Sequence, residues 1–332
     1  MKLRPRRLEI AILSLLISSP SAAYGTELKL TWNEAVRRAL DKNPRVLAAK
    51  EDLAASTSRL RSSQWQFAPR LTAEASWNQS GGSRSRTGTE NSFSTTLGVY
   101  QNIFNLSYFG DLAQSKAAQE SRTTNLQIAK LTVIRNLKTS FAGVLYWQRL
   151  SDLSKTIIER RRRNYELVEL RYEGGRENRG ALMLSKANLE DARMEQFQAQ
   201  NATKVALTEL KTLLELDETT SIVLDDEPPV SPPPTQVDYE NLLQKSPERL
   251  RALANEEQKK AAITSAKGDL LPTLGLSANV GKYGDQFLPQ TDGWSVGVSL
   301  SIPFGNGPTY YRLQAARAEA YAESYNRRAT EH

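Results

Sequence analysis

The chain has 332 residues, 39% of them hydrophobic and 24% charged, with a formal net charge of +7 and no cysteine. The charge does not indicate a nucleic-acid partner, because residues 1–23 carry four basic residues and one acid, which leaves about +4 for the rest. The lack of cysteine excludes disulfides, thiol chemistry and an acylated N-terminal cysteine. The only histidine is His332, and the sequence has neither a glycine-rich phosphate loop after a strand nor a cluster with metal-ligand spacing. We therefore expect no enzyme and no cofactor.

The start of the chain predicts export from the cytoplasm. Basic residues are followed by an apolar run from Ile10 to Ile17 and then by small residues near Ala23. This order is typical of a secretory signal peptide, and the apolar run is too short to cross a bilayer as a helix. We assign residues 1–23 to the signal peptide, with cleavage after Ala23, or after Gly25 as the second choice.

The first repeat, residues 27–216, begins with two helices over residues 31–67. Thr31 is the expected N-cap, with Glu34 as its capping-box partner. A break at Asn43-Pro44 separates the helices, and Pro69 ends the second one.

A β-hairpin is predicted over residues 71–104. Leu71, Ala73, Ala75 and Trp77 alternate with polar residues, and so do Phe93, Thr95, Leu97 and Val99 after a turn rich in glycine and serine. One face is thus apolar and the other is small and weakly polar. This two-faced pattern is typical of a strand between lipid and a wet lumen.

A helical hairpin is predicted over residues 108–216. The stretch from 108 to 172 has no proline, which predicts a rod on the order of 90 Å. It ends at Gly174-Gly175, and a second helix follows to Leu216. The apolar face of the first helix is predicted to contain Leu131, Ile134, Leu137, Phe141, Val144 and Leu145. The inward positions of the second are predicted to be Leu182, Ser185, Leu189, Ala192, Gln196, Ala199, Thr203, Ala206, Leu210 and Leu213.

A proline-rich linker, residues 217–236, leads into a second, incomplete repeat over residues 237–332. It contains helices over 238–268, a β-hairpin over 273–304 and the start of a helix over 308–332. Pro44 and Pro69 align with Pro247 and Pro272 at an offset of 203, whereas Phe104 and Phe304 align at 200. The helical hairpin expected next is missing from the sequence, so we expect either a fragment or a truncated gene product.

The second β-hairpin repeats the pattern of the first. Its apolar positions are Leu274, Leu276, Ala278 and Val280, then Trp294, Val296, Val298, Leu300 and Ile302. Four such strands cannot close a barrel, because barrels start at eight strands and open edges are not tolerated in lipid. Two copies would give eight strands and three would give twelve, and only twelve leave room for an open lumen.

Several motifs together resemble the TolC-like outer membrane factor family. They are the NP at positions 43 and 44, the helix-to-strand passage AAKEDLAASTSRLRSSQWQFAPRLTAEASW, its echo LRALANEEQKKAAITSAKGDLLPTLGLSANV, the strand end LSIPF, and RYEGG at 171–175. The resemblance implies an α+β membrane protein: a homotrimer with a twelve-stranded outer-membrane barrel and a long helical tunnel in the periplasm. It also implies a passive exit duct, for small molecules or proteins, in a tripartite efflux pump or a type I secretion system. Its partners would be a periplasmic adaptor and an inner-membrane transporter.

The resemblance also indicates two groups of site residues. The adaptor would meet the hairpin tip, here Arg171, Tyr172, Glu173, Gly174, Gly175 and Arg176, although the residues that follow Gly175 depart from the commoner apolar tip. The aromatic residues expected at the membrane interface are Trp77, Phe104, Trp294 and Phe304. Simple packing against neighbouring residues is the alternative for these aromatics.

Two other functions fit parts of the pattern. A periplasmic adaptor, or another coiled-coil interaction protein, also combines a helical hairpin with β-structure. A truncated channel without transport activity would have the same sequence features. The arginine run at 160–163 is interpreted as a solvated helix surface, because four consecutive helical residues face all directions.

Overall fold

The computed structural model describes residues 28–81, 90–230, 232 and 238–331. The predicted signal peptide and part of the predicted linker lie outside these residues. The elements in chain order are β1 (Leu28–Leu30), α1 (Trp32–Lys42), α2 (Pro44–Trp65), β2 (Arg70–Ser80), β3 (Glu90–Phe104), α3 (Leu106–Glu173), α4 (Arg179–Leu213), β4 (Ile222–Leu224), α5 (Tyr239–Lys245), α6 (Pro247–Gly268), β5 (Thr273–Gly284), β6 (Thr291–Ser301) and α7 (Gly307–Glu331).

The helices begin and end where local side-chain chemistry predicts. The Thr31 side chain accepts a hydrogen bond from the Glu34 backbone N–H, and the Glu34 carboxylate accepts one from the Thr31 N–H, so the predicted capping box is confirmed. The hydrogen bonds that the Glu34 carboxylate accepts from the Thr31 backbone N–H and hydroxyl hold the pKa of Glu34 below its ordinary value. Pro44 and Pro247 open α2 and α6 in the first turn, where a missing N–H is harmless.

The four long strands form one antiparallel sheet in the order β2-β3-β5-β6. The register refines the sequence alignment of the repeats. Arg70 lies opposite Tyr100, and Thr273 lies opposite Ser301, so the bodies of β3 and β6 correspond at an offset of 201. A β-bulge just before Phe104 adds one residue to β3, which is consistent with the match of Phe104 to Phe304 at 200.

The main core lies around the middle of α3, far from the sheet along that helix. Phe141, Leu137 and Val144 are fully buried there, together with Leu210 and Leu214 at the end of α4. The core also takes side chains from α1 and from two three-residue strands, β1 and β4, which pair in parallel. This pairing was not predicted, and it places β4 within the segment interpreted as a linker.

Side chains of α1 and of the residue that follows it donate hydrogen bonds to the carbonyl groups at the C-terminal end of α4. The Arg38 Nε donates to the Leu214 carbonyl oxygen at 2.9 Å, and the Asn43 amide donates to the Leu213 carbonyl oxygen at 3.1 Å. These carbonyls have no partner within α4, because the last turn of a helix leaves its acceptors unpaired. Glu215 follows with a φ of 50°, in the left-handed region that closes many helix C-termini.

Two glycines bring α3 and α6 into direct backbone contact near the sheet. A Cβ atom added to Gly110 would collide with the backbone nitrogen of Ser265, and one added to Gly268 would collide with that of Ser107. The Ser265 hydroxyl donates to the Asp111 carboxylate at the same crossing, at 2.5 Å. The two repeats of one chain are therefore joined by a helix pair that only glycine permits.

Candidate functional site

The sheet has one continuous apolar face. Directly opposed residues of an antiparallel sheet point to the same side, so the register aligns apolar side chains across all four strands. Two such rows are Leu71, Val99, Ala278 and Val296, and Ala73, Leu97, Val280 and Trp294. Most of these side chains are solvent-exposed in the single chain, Trp294 by 81%. An apolar surface of this extent indicates an apolar environment or partner.

The opposite face is lined by small and polar residues. Its rows include Thr72, Gly98, Asn279 and Ser295, and Arg70, Tyr100, Ser277 and Gly297. Tyr100 lies over Gly275 and Tyr283 lies over Gly293, where an added Cβ would collide with each ring. The aromatic rings thus lie flat against the sheet and leave this face open.

An ion pair limits the apolar face at the hairpin end. Lys282 lies opposite Asp292 with their charged groups 3.0 Å apart, one alternation beyond the row of Val280 and Trp294. This ion pair was not predicted from the sequence. The signal was present in the alternation itself, because Lys282 and Asp292 continue the apolar positions of their strands. The apolar band from Leu274 to Val280 therefore spans roughly 20 Å along β5.

The four predicted interface aromatics do not form two level pairs. Trp77 and Trp294 both lie on the apolar face in the half of the sheet nearer the hairpin ends, but the row of Lys282 and Asp292 runs between them. Trp77, on the hairpin side of that row, stacks on Phe93 with ring centroids 6.3 Å apart. Phe104 ends β3 and Phe304 follows β6, at the opposite end of the sheet, and both are exposed.

Both edges of the sheet have no strand partner within the described chain. Strand β2 forms one edge and β6 the other. Each edge strand presents a row of unpaired backbone N–H and C=O groups, which form a template for pairing with another strand.

The helical-hairpin tip is a glycine-terminated turn. The Arg176 N–H donates to the Arg171 carbonyl oxygen at 2.8 Å, and the Gly175 N–H donates to that of Tyr172 at 3.0 Å. Gly175 has a φ of 67°, which favours glycine, and the whole arrangement is a Schellman motif. The predicted tip residues 171–176 are all exposed and adjacent.

The next helix begins directly after the tip. The Asn178 side chain caps α4 by accepting from the Ala181 N–H at 2.9 Å. A small cluster of Ile158, Leu189 and Ala192, with Tyr165 against it, holds α3 and α4 together below the tip. The Tyr165 hydroxyl donates to the Glu169 carboxylate at 2.6 Å, and this hydrogen bond raises the pKa of Tyr165. The tip is thus presented on a fixed helix pair.

The described residues offer neither of two other kinds of site. None of their helices combines the length and apolar character needed to cross a membrane. No group of three or more histidine, cysteine or acidic side chains is placed to hold a metal ion in this part of the chain.

Comparison with solved structures identifies the fold. The chain is similar to the CmeC outer membrane channel of Campylobacter jejuni, with a TM-score of 0.81 and 19% identity over 90% of this chain and 67% of that one. The outer membrane protein VceC of Vibrio cholerae gives a TM-score of 0.78 and 19% identity, over 90% of this chain and 75% of that one. The MtrE outer membrane channel of Neisseria gonorrhoeae gives 0.75 and 20%, over 90% and 69% of the two chains.

Sequence comparison gives the family. No curated protein sequence matches the chain significantly. A family model described as outer membrane efflux protein matches residues 35–215, which is more than half of the chain. This is a family of outer-membrane channels and not of enzymes, so the prediction that the chain is no enzyme is confirmed. The chain belongs to the outer membrane efflux protein family, as its resemblance to TolC-like proteins predicted.

Proposed function

We propose that this chain is one protomer of a passive export duct in the outer membrane. Three copies contribute four strands each to a twelve-stranded barrel, and the helices form a tunnel on the periplasmic side. The duct serves a tripartite efflux pump or a type I secretion system, together with a periplasmic adaptor and an inner-membrane transporter. It conducts small molecules or proteins, and the selection of cargo belongs mainly to the inner-membrane component.

The two-faced sheet with open edges is the observation that carries this proposal. Two apolar rows cross all four strands, while the opposite face is built mainly from small and polar residues. Lipid on one side and water on the other match these faces. The unpaired edges of β2 and β6 need strands from further copies, because open edges do not persist in hydrocarbon.

The ion pair and the aromatic residues support this orientation. The Lys282–Asp292 pair lies just outside the apolar band, at a level suited to the headgroups. Trp77 and Trp294, which lie on either side of that level, would mark one membrane interface, and Phe104 and Phe304, at the other end of the strands, would mark the second, because aromatic rings are favoured there.

Fractionation of cells that express the full chain tests the proposal. We expect the protein in the outer-membrane fraction and, after extraction in detergent, a trimer by light scattering. A monomer that stays in the periplasm and needs no detergent would contradict the proposal. That result would instead support the alternative of a soluble coiled-coil interaction protein.

The tip carries the contact with the adaptor in this proposal. Its residues Arg171–Arg176 are exposed, and the Schellman turn fixes their backbone. Tyr172→Ala should weaken crosslinking to a co-expressed adaptor without changing the amount of trimer in the membrane. Tyr146→Ala is the matched control, since Tyr146 is an exposed tyrosine on the same helix, roughly 40 Å from the tip. Equal crosslinking of both variants would show that the tip does not contact the adaptor.

A further inference from the structure

A groove between α2, α3 and α6 is lined by polar and basic side chains. Its volume is about 520 Å³, within the range that is usual for sites that hold a small molecule. One arginine from each helix lines it: Arg59 of α2, Arg122 of α3 and Arg251 of α6. No acidic side chain is among the described residues of its wall. The groove therefore collects positive charge in a small volume.

These arginines have no carboxylate partner among the described residues. None of them takes part in an ion pair there, and the side chains of Arg59 and Arg122 make no hydrogen bond within the described chain. Glu248, the acid nearest to Arg251 along α6, accepts from the Ser246 hydroxyl instead. Because a guanidinium group keeps its proton at any physiological pH, the groove cannot relieve its charge by titration.

Two asparagines at the groove offer hydrogen-bond donors to a ligand. The Asn255 Oδ1 accepts from the Ser121 hydroxyl at 2.7 Å, and the Asn125 Oδ1 accepts from the Arg251 Nη1 at 3.4 Å. Both side-chain oxygens are thus used by the protein, whereas the amide N–H groups are left for a ligand. Donors of this kind, together with guanidinium groups, suit an ionised carboxylate or a phosphate, which only accepts.

The internal repeat shows that helix packing does not require the arginines. The prolines in the first turns of α2 and α6 align these helices at an offset of 203. At this offset Arg59 corresponds to Ala262 of α6, and Arg251 corresponds to Ala48 of α2. Alanine therefore serves at both positions in the other repeat, and the positive charge belongs to the groove and not to the repeated fold.

The groove opens on the side of α3 that faces away from the main core. At about 100° per residue, Ser121 and Asn125 lie roughly 160° to 200° around α3 from Phe141. The core side carries an added layer made of α1, β1 and β4. In a tunnel with α2, α3 and α6 in its wall, this layer fits only on the outer surface, because it would otherwise fill the passage. The groove would then face the passage.

We propose that the groove is an oxyanion site on the inner wall of the duct, for dissolved solutes that carry two or more carboxylate or phosphate groups. Only its place in the duct rests on the proposed function, because the groove itself lies within one chain. The phosphate of a membrane lipid is not the ligand, since Arg122 lies roughly 24 Å along α3 from Leu106, where the helix leaves the sheet. Two or more anionic groups match a site that three guanidinium groups surround.

Calorimetric titration of the detergent-extracted full chain with citrate, and separately with pyrophosphate, tests the site at low ionic strength, where screening is weak. We expect Arg59→Gln, Arg122→Gln and Arg251→Gln each to weaken binding about tenfold or more, because each removes charge-assisted hydrogen bonds. The control is Arg61→Gln, which removes the same charge from an exposed arginine about 200° around α2 from Arg59 and should leave the affinity unchanged.

Binding of only one of the two anions supports the site and identifies the group that it takes. Absence of binding to the parent protein overturns the site, and so do equal affinities in the groove variants and the control.

The ion selectivity of the protein in planar lipid bilayers tests the place of the site in the duct. In a gradient of potassium chloride, the reversal potential gives the ratio of chloride to potassium permeability. The three groove variants should lower this ratio, because they remove positive charge from the passage, and Arg61→Gln should not. Unchanged selectivity in variants that no longer bind citrate would place the groove away from the passage and overturn that part of the proposal.

The two measurements separate this inference from the proposed function. Channels that form normally, in a protein whose groove variants bind citrate like the control, overturn the site and leave the proposed function standing. Citrate binding that depends on the groove, in a protein that forms no channel, contradicts the proposed function and leaves the site standing.

Discussion

The sheet and the core around Phe141 are stabilised in opposite ways. The core buries its large side chains within one chain, from β1, α1, α2, α3, α4 and β4. The sheet buries almost none of its large apolar side chains, and Val296, Val298 and Trp294 are mostly exposed. Backbone pairing alone does not stabilise a sheet without a covered apolar face. The core should therefore depend on the sequence of one protomer, and the sheet on lipid and on further copies.

Removing a large side chain from the core should give the largest effect. We expect Phe141→Ala to lower the free energy of unfolding by about 3–5 kcal/mol, because it leaves a cavity in a fully buried site. Thermal unfolding of the detergent-extracted protein measures this. Leu153→Ala, at an exposed position of the same helix, is the control. Equal losses in both variants would show that the core is not the stabilising unit.

A charge on the apolar face of the sheet should prevent membrane insertion. Val296 lies inside the apolar band, opposite Ala278, where an arginine should cost about 2–4 kcal/mol in lipid. Val296→Arg should therefore reduce the protein recovered from the outer membrane. The neighbouring change Ser295→Arg, on the polar face, should leave recovery nearly unchanged. The reverse order would mean that the two faces are assigned the wrong way round.

Substitution by alanine at two glycines of α3 should change the stability of the protein in opposite directions. Gly110→Ala forces α3 away from α6, which we expect to cost about 1–3 kcal/mol, as overpacking does. Gly143 has open space around it inside the helix, so Gly143→Ala should stabilise by up to about 1 kcal/mol. Unfolding midpoints of the two variants against the parent decide this. Stabilisation by both would show that the two repeats are not in close contact.

Low pH should destabilise the packing of α7, the last helix, against α6. Burial of Glu256 opposes its charge, but hydrogen bonds from Lys260 and Arg327 outweigh burial and hold the pKa of Glu256 below its ordinary value. A lowered folded-state pKa means stability that is present above the unfolded-state pKa and lost as the pH falls through the folded value. Stability measured from pH 7 downwards should fall in that window. The Glu256→Gln variant should lose less stability over this pH range. If its pH profile of stability equals that of the parent, the Glu256 carboxylate is not the source of the pH dependence.

Relief of backbone strain at Glu215 should give the smallest effect. Its φ of 50° costs a side-chain-bearing residue about 1 kcal/mol, which glycine avoids, so Glu215→Gly should stabilise by a few tenths to about 1 kcal/mol. Glu218→Gly is the control, since Glu218 has no positive φ. A loss of stability at Glu215 would show that its side chain contributes more than its backbone costs.

The sequence predicted the features that repeat at short range. The alternation of apolar and polar residues predicted all four long strands, and the Gly174-Gly175 pair predicted the tip of the helical hairpin. Longer-range packing was harder to predict. Leu131 was assigned to the apolar face of α3 but is exposed, whereas Val133 is buried. The reason is that α3 packs on α2 and α6 near the sheet and on α1 and α4 further along, so no single stripe describes it.

Two other features could not be predicted from local sequence patterns. The β1·β4 pair joins three-residue strands about 190 residues apart, too short for any periodicity. The role of Gly110 depends on Ser265, which only the fold brings near. The two faces of the sheet could be predicted because they follow from the alternation of adjacent residues. The contacts between helices could not be predicted, because they join residues far apart in the sequence.

The short parallel ladder between β1 and β4 has a consequence for how the protein is made. Residues Leu28–Leu30 find their partner only after Ile222–Leu224 have been synthesised, so a loop of about 190 residues must close late. Residues Leu28–Leu30 therefore stay unpaired while about 190 further residues are synthesised. Chains with unpaired strands and exposed apolar side chains are prone to aggregate during such an interval.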